Sequence, residues 1–465
     1  MLAAHAGLFR YLGLSLWWAW AYIVFYCDAA FPAIAPLGAP RMAWIASLFG
    51  YALAMTWCAL FCDRIGSLAS HRVALTWTQA LSCVGTALAL FAWAPGIPSP
   101  ELMCVAGGLA TGLGTAWLSL SWGELFGSMG IAATGRLVTA SLFIGVALVY
   151  PMSLMPSGFC AALACLLPAA SAAMLRLSTV SVPLRTPPPG GVYVSRPLPW
   201  GLMANIGAVS AAFGFLQGSG LVSGAVSTHV LFAGIVAASL ALTIYTNALG
   251  RQIDVARVYR ASLVVLLSGF MFMPFLAGLP LGIATSLVTA AYDCFDVMAW
   301  VLMANMVLLS SDTPAAAPFA WGRLSNHVGM LVGTAVGSAV ASAGAVGMGV
   351  TVLSFLIMLC ILASGSDVRF FSTPPEVVEK MSSRADGLEE ACRKVVEDFG
   401  LTARESEVLV LMARGRNAAY ISETLVISEN TAKTHGKHIY RKMGVSSQQQ
   451  LMDVVEARMA FDNGG

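Results

Sequence analysis

The stretch Leu8–Tyr26, LFRYLGLSLWWAWAYIVFY, holds one charged residue, Arg10, ahead of an unbroken apolar core. A helix needs about 20 mostly apolar residues to cross roughly 30 Å of hydrocarbon, and this stretch meets that length. It lacks a small-residue cleavage pattern and similar runs recur after it, so it reads as a first membrane span and not as a removable leader. Eleven more runs of the same kind follow, at about 43–62, 73–94, 101–123, 137–156, 159–176, 199–218, 227–249, 260–277, 280–309, 322–343 and 345–363. Between the sixth and seventh lies 177–198, a Pro- and Gly-rich segment with Pro187-Pro188-Pro189-Gly190-Gly191 inside it, which reads as a linker. The expected fold is therefore all-α, a polytopic transmembrane bundle of about twelve helices arranged six plus six, with halves 1–176 and 199–363.

Composition supports this division and adds a second module. The 465 residues are 58% hydrophobic and 10% charged, against about 45–50% and about 25% in an ordinary soluble domain. The charges are unevenly spread: residues 1–363 carry 12 Arg, 8 acidic residues and no Lys, whereas 364–465 carry 13 basic and 15 acidic residues. A soluble single-domain enzyme is excluded. The ten cysteines fall mostly inside apolar runs and none forms a C-x-x-C pair, so neither a disulfide framework nor a zinc site is expected.

Arginine placement gives an orientation, because cytoplasmic loops carry an excess of Arg and Lys. On the twelve-span reading one side receives Arg10, Arg64, Arg72, Arg136, Arg176, Arg185, Arg196, Arg251, Arg257, Arg260 and Arg323, and the other only Arg41. Both termini are then expected in the cytoplasm. The loop after span two reads Asp63-Arg64-Ile65-Gly66, and the loop after span eight reads Gly250-Arg251-Gln252-Ile253-Asp254. These resemble the D-R-x-G loop motif of the major facilitator superfamily, whose members are six-plus-six bundles that transport solutes.

The polar tail begins with a segment, 364–398, of net charge −3 (5 basic, 8 acidic). From 399 to 460 it reads as four short helices. Thr402-Ala403-Arg404-Glu405 is a capping box, Asn417 and Ser428 are further N-cap residues, Gly444 closes the third helix, and Ser447-Gln448-Gln449-Gln450 is a second capping box. A short helix, a turn at 426–428 and a longer basic helix make a helix-turn-helix. The run LTARESEVLVLMARGRNAAYISETLVISENTAKTHGKHIYRKMGVSSQQQL, 401–451, resembles the LuxR-type (LuxR/NarL/FixJ) DNA-binding domain over its full length, and departs from it at Ser422, Ala432 and Gly436. The resemblance implies base-edge readout by Lys433, Thr434 and Lys437, and phosphate positioning by Asn417, Thr431, Tyr440 and Arg441. It also implies double-stranded DNA as partner, dimeric binding, and a bacterial cytoplasmic membrane around the bundle.

Ionisable residues inside hydrocarbon are functional-site candidates. Asp293 and Asp296, three apart on span ten, share a helix face, and His327 follows Asn326 on span eleven; Asp293, Asp296 and His327 are the ligand-sensing candidates. Glu101 and Glu124 fall at the ends of span four, where water is expected. The first Lys of the chain is Lys380, so no G-x-x-x-x-G-K-[ST] phosphate loop exists in the bundle, nor a receiver domain with its active-site Lys. Neither enzymatic activity, a cofactor nor a metal is expected. The leading expectation is a membrane-embedded one-component transcription regulator that senses a small molecule. The alternative is a secondary transporter with a regulatory DNA- or protein-binding tail.

Overall fold

A computed structural model describes residues 9–36, 38–129, 131–180, 200–220, 228–247, 255–276, 278–309, 316–354, 357–358, 388, 390–413, 418–425 and 427–462. The linker beyond 180, the segment 359–387 and Asn417 lie outside them. The chain divides into two compact units, one built from the apolar helices and one from the tail.

Each apolar run is a helix. In order these are α1 (Leu14–Phe25), α2 (Ala39–Ile65), α3 (Arg72–Leu90), α4 (Pro100–Gly127), α5 (Ile131–Ser153), α6 (Ser157–Thr179), α7 (Trp200–Gly218), α8 (Thr228–Asn247), α9 (Val255–Phe272), α10 (Gly278–Leu309), α11 (Ala316–Ser342) and α12 (346–354). Among the described residues, nine helices are long and apolar enough to cross a membrane. Their outer surface carries large apolar side chains such as Trp57, Trp77, Phe159, Leu166 and Phe275. So continuous an apolar surface is foreign to a soluble monomer and suited to lipid.

The packing repeats at an interval of six. Helix α1 packs on α5 as α7 packs on α11, each member shifted by six, and α2 against α11 is matched by α8 against α5, each helix replaced by its counterpart six places away in the other half. The last two pairs join the halves. At one end Arg41 of α2 donates to the Gly218 carbonyl (2.7 Å) and to Ser338 Oγ (2.8 Å). Near the opposite ends of the helices, Thr139 and Thr246 hydroxyls meet at 3.0 Å and Thr243 donates to the Thr139 carbonyl at 3.1 Å.

Lipid gives helices no hydrophobic drive to associate, so close van der Waals contact between small residues must supply it. The α7–α11 seam shows this. A Cβ added at Gly333 would lie 1.9 Å from the Ala211 carbonyl oxygen, and one at Gly329 2.1 Å from that of Gly207. The arginine loop after α2 is also fixed by backbone demands. Gly66 has φ +68° and ends α2, and the Glu124 carboxylate accepts the Leu68 and Ala69 N–H groups (2.9 Å each) and the Ser67 hydroxyl (3.1 Å). Glu124 is only 3% exposed. The expectation of a water-facing Glu124 is thus corrected: the residue ends α4 but turns inward to satisfy the loop's donors. The matching loop after α8 lies outside the described residues.

The tail unit contains α13 (390–398), α14 (Ala403–Ala413), α15 (Ala418–Leu425), α16 (Glu429–Met443) and α17 (Gln448–Asp462). Its core joins Val408, Leu409, Ile421, Ile439, Leu451 and Val455 with Ala391, Cys392 and Val395 of α13. The helix preceding the four-helix motif therefore packs onto it.

Overpacking the seam should be far costlier than filling open space. Gly333→Val is expected to abolish or strongly destabilise the folded bundle, by several kcal/mol, whereas Gly158→Ala, where a Cβ meets nothing within 4 Å, should change stability by less than about 0.5 kcal/mol. Thermal unfolding in detergent checks both.

Candidate functional sites

The bundle encloses a cavity of about 80 Å³ whose walls come from α1, α2 and α4 of the first half and α7, α10 and α11 of the second. All three ligand-sensing candidates, Asp293, Asp296 and His327, line it. Sequence counts a further ionisable group, Arg323, on the cytoplasmic side at the start of span eleven. Helix α11 begins at Ala316, well before the run at 322 that hydropathy marks, and Arg323 stands inside it, 4% exposed. The Arg asymmetry therefore loses one member of its larger side and keeps its sign.

Arg323 Nη1 donates to Asp296 Oδ1 at 2.5 Å, and its guanidinium lies 5.4 Å from the Trp300 ring centroid. The same Asp296 oxygen accepts from Asn326 Nδ2 at 3.2 Å, which also donates to the Tyr292 hydroxyl (2.8 Å) and Ser210 Oγ (3.0 Å). His327 Nδ1 lies 2.9 Å from the Arg323 carbonyl oxygen, and its ring stacks on Tyr51 of the first half at 3.7 Å and 6°. Removing one partner of a buried ion pair costs about 3–5 kcal/mol because the survivor stays uncompensated. Asp296 is thus a structural counter-ion as much as a ligand candidate.

Asp293 is different. It is 5% exposed and stands beside the Tyr22 hydroxyl, yet both that hydroxyl and Asp293 Oδ2 are buried without a hydrogen bond of normal geometry. The sequence read the two aspartates as equivalent neighbours. Arg323 separates them into a neutralised and an uncompensated carboxylate.

In the tail, Ser428 is extended (φ −70°, ψ 149°) and its hydroxyl caps α16 by accepting the Thr431 N–H at 3.0 Å, while Gly444 ends the helix at φ 68°. Ala432, Gly436, Ile439 and Met443 are buried along one side of α16. Thr431, Lys433, Thr434, Lys437 and Arg441 are exposed, and Tyr440 is half-buried against the core. Lys433 Nζ is 2.7 Å from Glu429, an exposed i,i+4 pair worth only about 0.2–0.5 kcal/mol and so easily exchanged for another acceptor. The Thr434 hydroxyl donates to the Asn430 carbonyl at 2.8 Å. A Cβ at Gly436 would meet Met412 at 3.6 Å, ordinary contact, so the glycine's cost of about 1 kcal/mol in helix propensity has no packing reason.

Arg404 and Glu405 hold the fold. Arg404 pairs with Glu407 and donates to the Leu425 carbonyl at 2.9 Å, bracing the end of α15. Glu405 Oε2 accepts the Thr402 N–H at 2.8 Å and Lys442 Nζ at 2.7 Å, while Lys442 also reaches the Gly400 carbonyl at 3.0 Å. The Lys442 ammonium, then the Thr402 N–H, hold the Glu405 carboxyl down to about 2.

The comparisons with known proteins divide along the same line. Residues 400–455 match the family described as bacterial regulatory proteins, luxR family. The transcriptional regulatory protein MctR of Rhizobium johnstonii is 39% identical over 64 residues, 14% of this chain and 28% of that protein, so the chain spans just over a quarter of that relative's length. The fold resembles a bacterial homologue of the iron transporter ferroportin in its outward-facing state (TM-score 0.54, 12% identity, 78% of this chain and 98% of that one). It also resembles the E. coli fucose:proton symporter FucP (TM-score 0.54, 16% identity, 79% and 99%) and the human organic anion transporter MFSD10 (TM-score 0.51, 13% identity, 77% and 98%). At these identities the likeness concerns fold alone. The chain carries a LuxR-type helix-turn-helix domain at 400–455, and its bundle shares the fold of these solved transporter structures.

Because the Glu405 carboxyl lies below its ordinary 4.5 in the folded state, its stabilising share is complete above that value and is lost as pH falls toward about 2. Glu405→Gln in a fragment from Leu388 onward should lower stability at neutral pH and flatten its dependence between about pH 4.5 and 2. Urea unfolding across that range checks it.

Proposed function

We propose that the protein is a membrane-embedded one-component transcription regulator: the tail binds DNA sequence-specifically, and the bundle senses a small-molecule ligand and biases that binding. The observation that carries the reading is the face of α16, where Thr431, Lys433, Thr434, Lys437 and Arg441 are exposed opposite the side that holds the core. A major groove admits a helix and offers N7 and O6 acceptors to Lys or Arg, so Lys433, Thr434 and Lys437 are assigned to base edges. Thr431, Tyr440 and Arg441 are assigned to phosphates, and Asn417 is carried over from the LuxR-type pattern. Dimers reading two half-sites are the expected DNA-bound form.

The bundle's part rests on Asp293, Asp296 and His327 at a cavity walled by both halves. A ligand moves an equilibrium only through its differential affinity for two states, and a site shared by two bodies is where such a difference arises. The Arg41 and Thr139–Thr246 ties mark the contacts that separate motions of the halves would exchange. Arginine asymmetry supports cytoplasmic termini in a bacterial cytoplasmic membrane. A regulator domain joined to a transporter-like fold points to a non-enzymatic protein. The cavity also suits the second reading, a secondary transporter with a regulatory tail; solute uptake into vesicles would favour that reading.

The DNA assignment is tested by comparing operator and random duplexes. Lys437→Ala should cost about 1–3 kcal/mol on the operator alone, whereas Arg441→Ala should weaken both duplexes alike and reduce the salt slope by about 1. Equal loss on both duplexes for Lys437→Ala would remove its base-reading role.

A further inference from the structure

The cavity's charge and wall chemistry together define a ligand class. Its charged lining consists of Asp293, Asp296 and Arg323. With Asp296 set against Arg323 at 2.5 Å, Asp293 is the carboxyl of the lining that has no charged partner. The surrounding wall is aromatic and continuous: Trp18 stacks near Tyr22 (6.1 Å), Tyr22 meets Tyr26 (5.6 Å), and Tyr26 meets both Trp44 and Phe213 (6.1 Å each). Phe213 in turn stacks on Tyr292 at 4.2 Å. Ring faces are negative and attract cations held over them, most strongly when the cation is desolvated.

A metal ion and an anion fit this wall less well. Metal ions such as Na⁺ or Ca²⁺ need several oxygen ligands, and the aromatic wall presents mainly carbon. An anion would find donors in the unpartnered Trp17 and Trp18 Nε1 and Arg323 Nε, but the guanidinium of Arg323 is already set against Asp296. Alkylated ammonium groups answer both features, since they carry charge without requiring directional oxygen ligands. Size sets the limit: an apolar cavity of about 150 Å³ holds benzene, and this one of about 80 Å³ has room for roughly half as much.

We propose that the cavity receives a small alkylated ammonium cation, its charge set against Asp293 and its methyl groups against the rings of Trp18, Tyr22 and Tyr26. This rests on the cavity being the ligand site of the bundle. It does not require that binding be transmitted to DNA.

Three probes of three heavy atoms each, within the size limit, and of different charge test it on the full chain in lipid nanodiscs: dimethylammonium, ethanol and formate. Binding is followed by tryptophan emission, since Trp17, Trp18, Trp20 and Trp44 line the cavity, with sodium chloride matched throughout. Dimethylammonium should bind at least tenfold more tightly than either other probe, and Asp293→Asn should erase most of that preference while leaving the melting temperature of the unliganded protein in place. Should the variant misfold, the order of the three probes on the natural chain decides the matter alone. Equal or tighter binding of ethanol or formate, no binding of dimethylammonium, or an undiminished preference in a folded Asp293→Asn protein overturns the proposal. Operator affinity is then measured with and without dimethylammonium. Binding that leaves operator affinity unchanged supports this site while removing the regulator reading.

Discussion

An arginine carried into the middle of a membrane bundle must be neutralised where it stands, and Asp296 does this for Arg323. The pair fixes more than its own charge. Asp296 orients Asn326, which holds Tyr292 and Ser210, while the Arg323 carbonyl positions His327 against Tyr51 across the half-to-half boundary. Because the pair is complete, Asp293 remains the carboxyl of the cavity without a charged partner. The close α7–α11 seam, with glycines meeting carbonyls, brings α11 near enough to α7 for Asn326 to reach Ser210. Packing and electrostatics in the second half are thus one arrangement.

The tail obeys the ordinary rules of a small soluble domain. Its third helix has one buried side and one basic exposed side, its ends are capped by Ser428 and Gly444, and Glu405 with Lys442 ties the first helix to the end of the third. The exposed basic side makes no core contact, so residues there are free to serve recognition. In the bundle the opposite holds, since its informative groups are buried. That contrast is what a receptor coupled to a DNA reader requires.

Much of this was legible in the sequence because the signals are local. Among the described residues each of the twelve apolar runs is helical, and the caps at Thr402, Ser428, Gly444 and Ser447 stand where the spacing puts them. Arg323 was misread because hydropathy averages hide a charge near a helix start; the apolar run Pro314–Gly322 ahead of it was the missed signal. The inward turn of Glu124 was hidden for another reason, as its partners at 67–69 are more than fifty residues away. The different fates of Asp293 and Asp296 likewise depend on which helix supplies the counter-charge. Periodicity does not encode that. Aromatic residues of α1, α2, α7 and α10 meet around one cavity only through tertiary packing.

The central claim is that an intact membrane protein occupies chosen DNA sites. Crosslinking in living cells, followed by recovery of DNA bound to the full-length chain from the membrane fraction, tests it most directly. The account predicts a small set of promoter sites with paired half-sites, enriched with the natural chain and lost with Lys437→Ala. Recovery of DNA at background level, or only with a tail cleaved from its bundle, would contradict it.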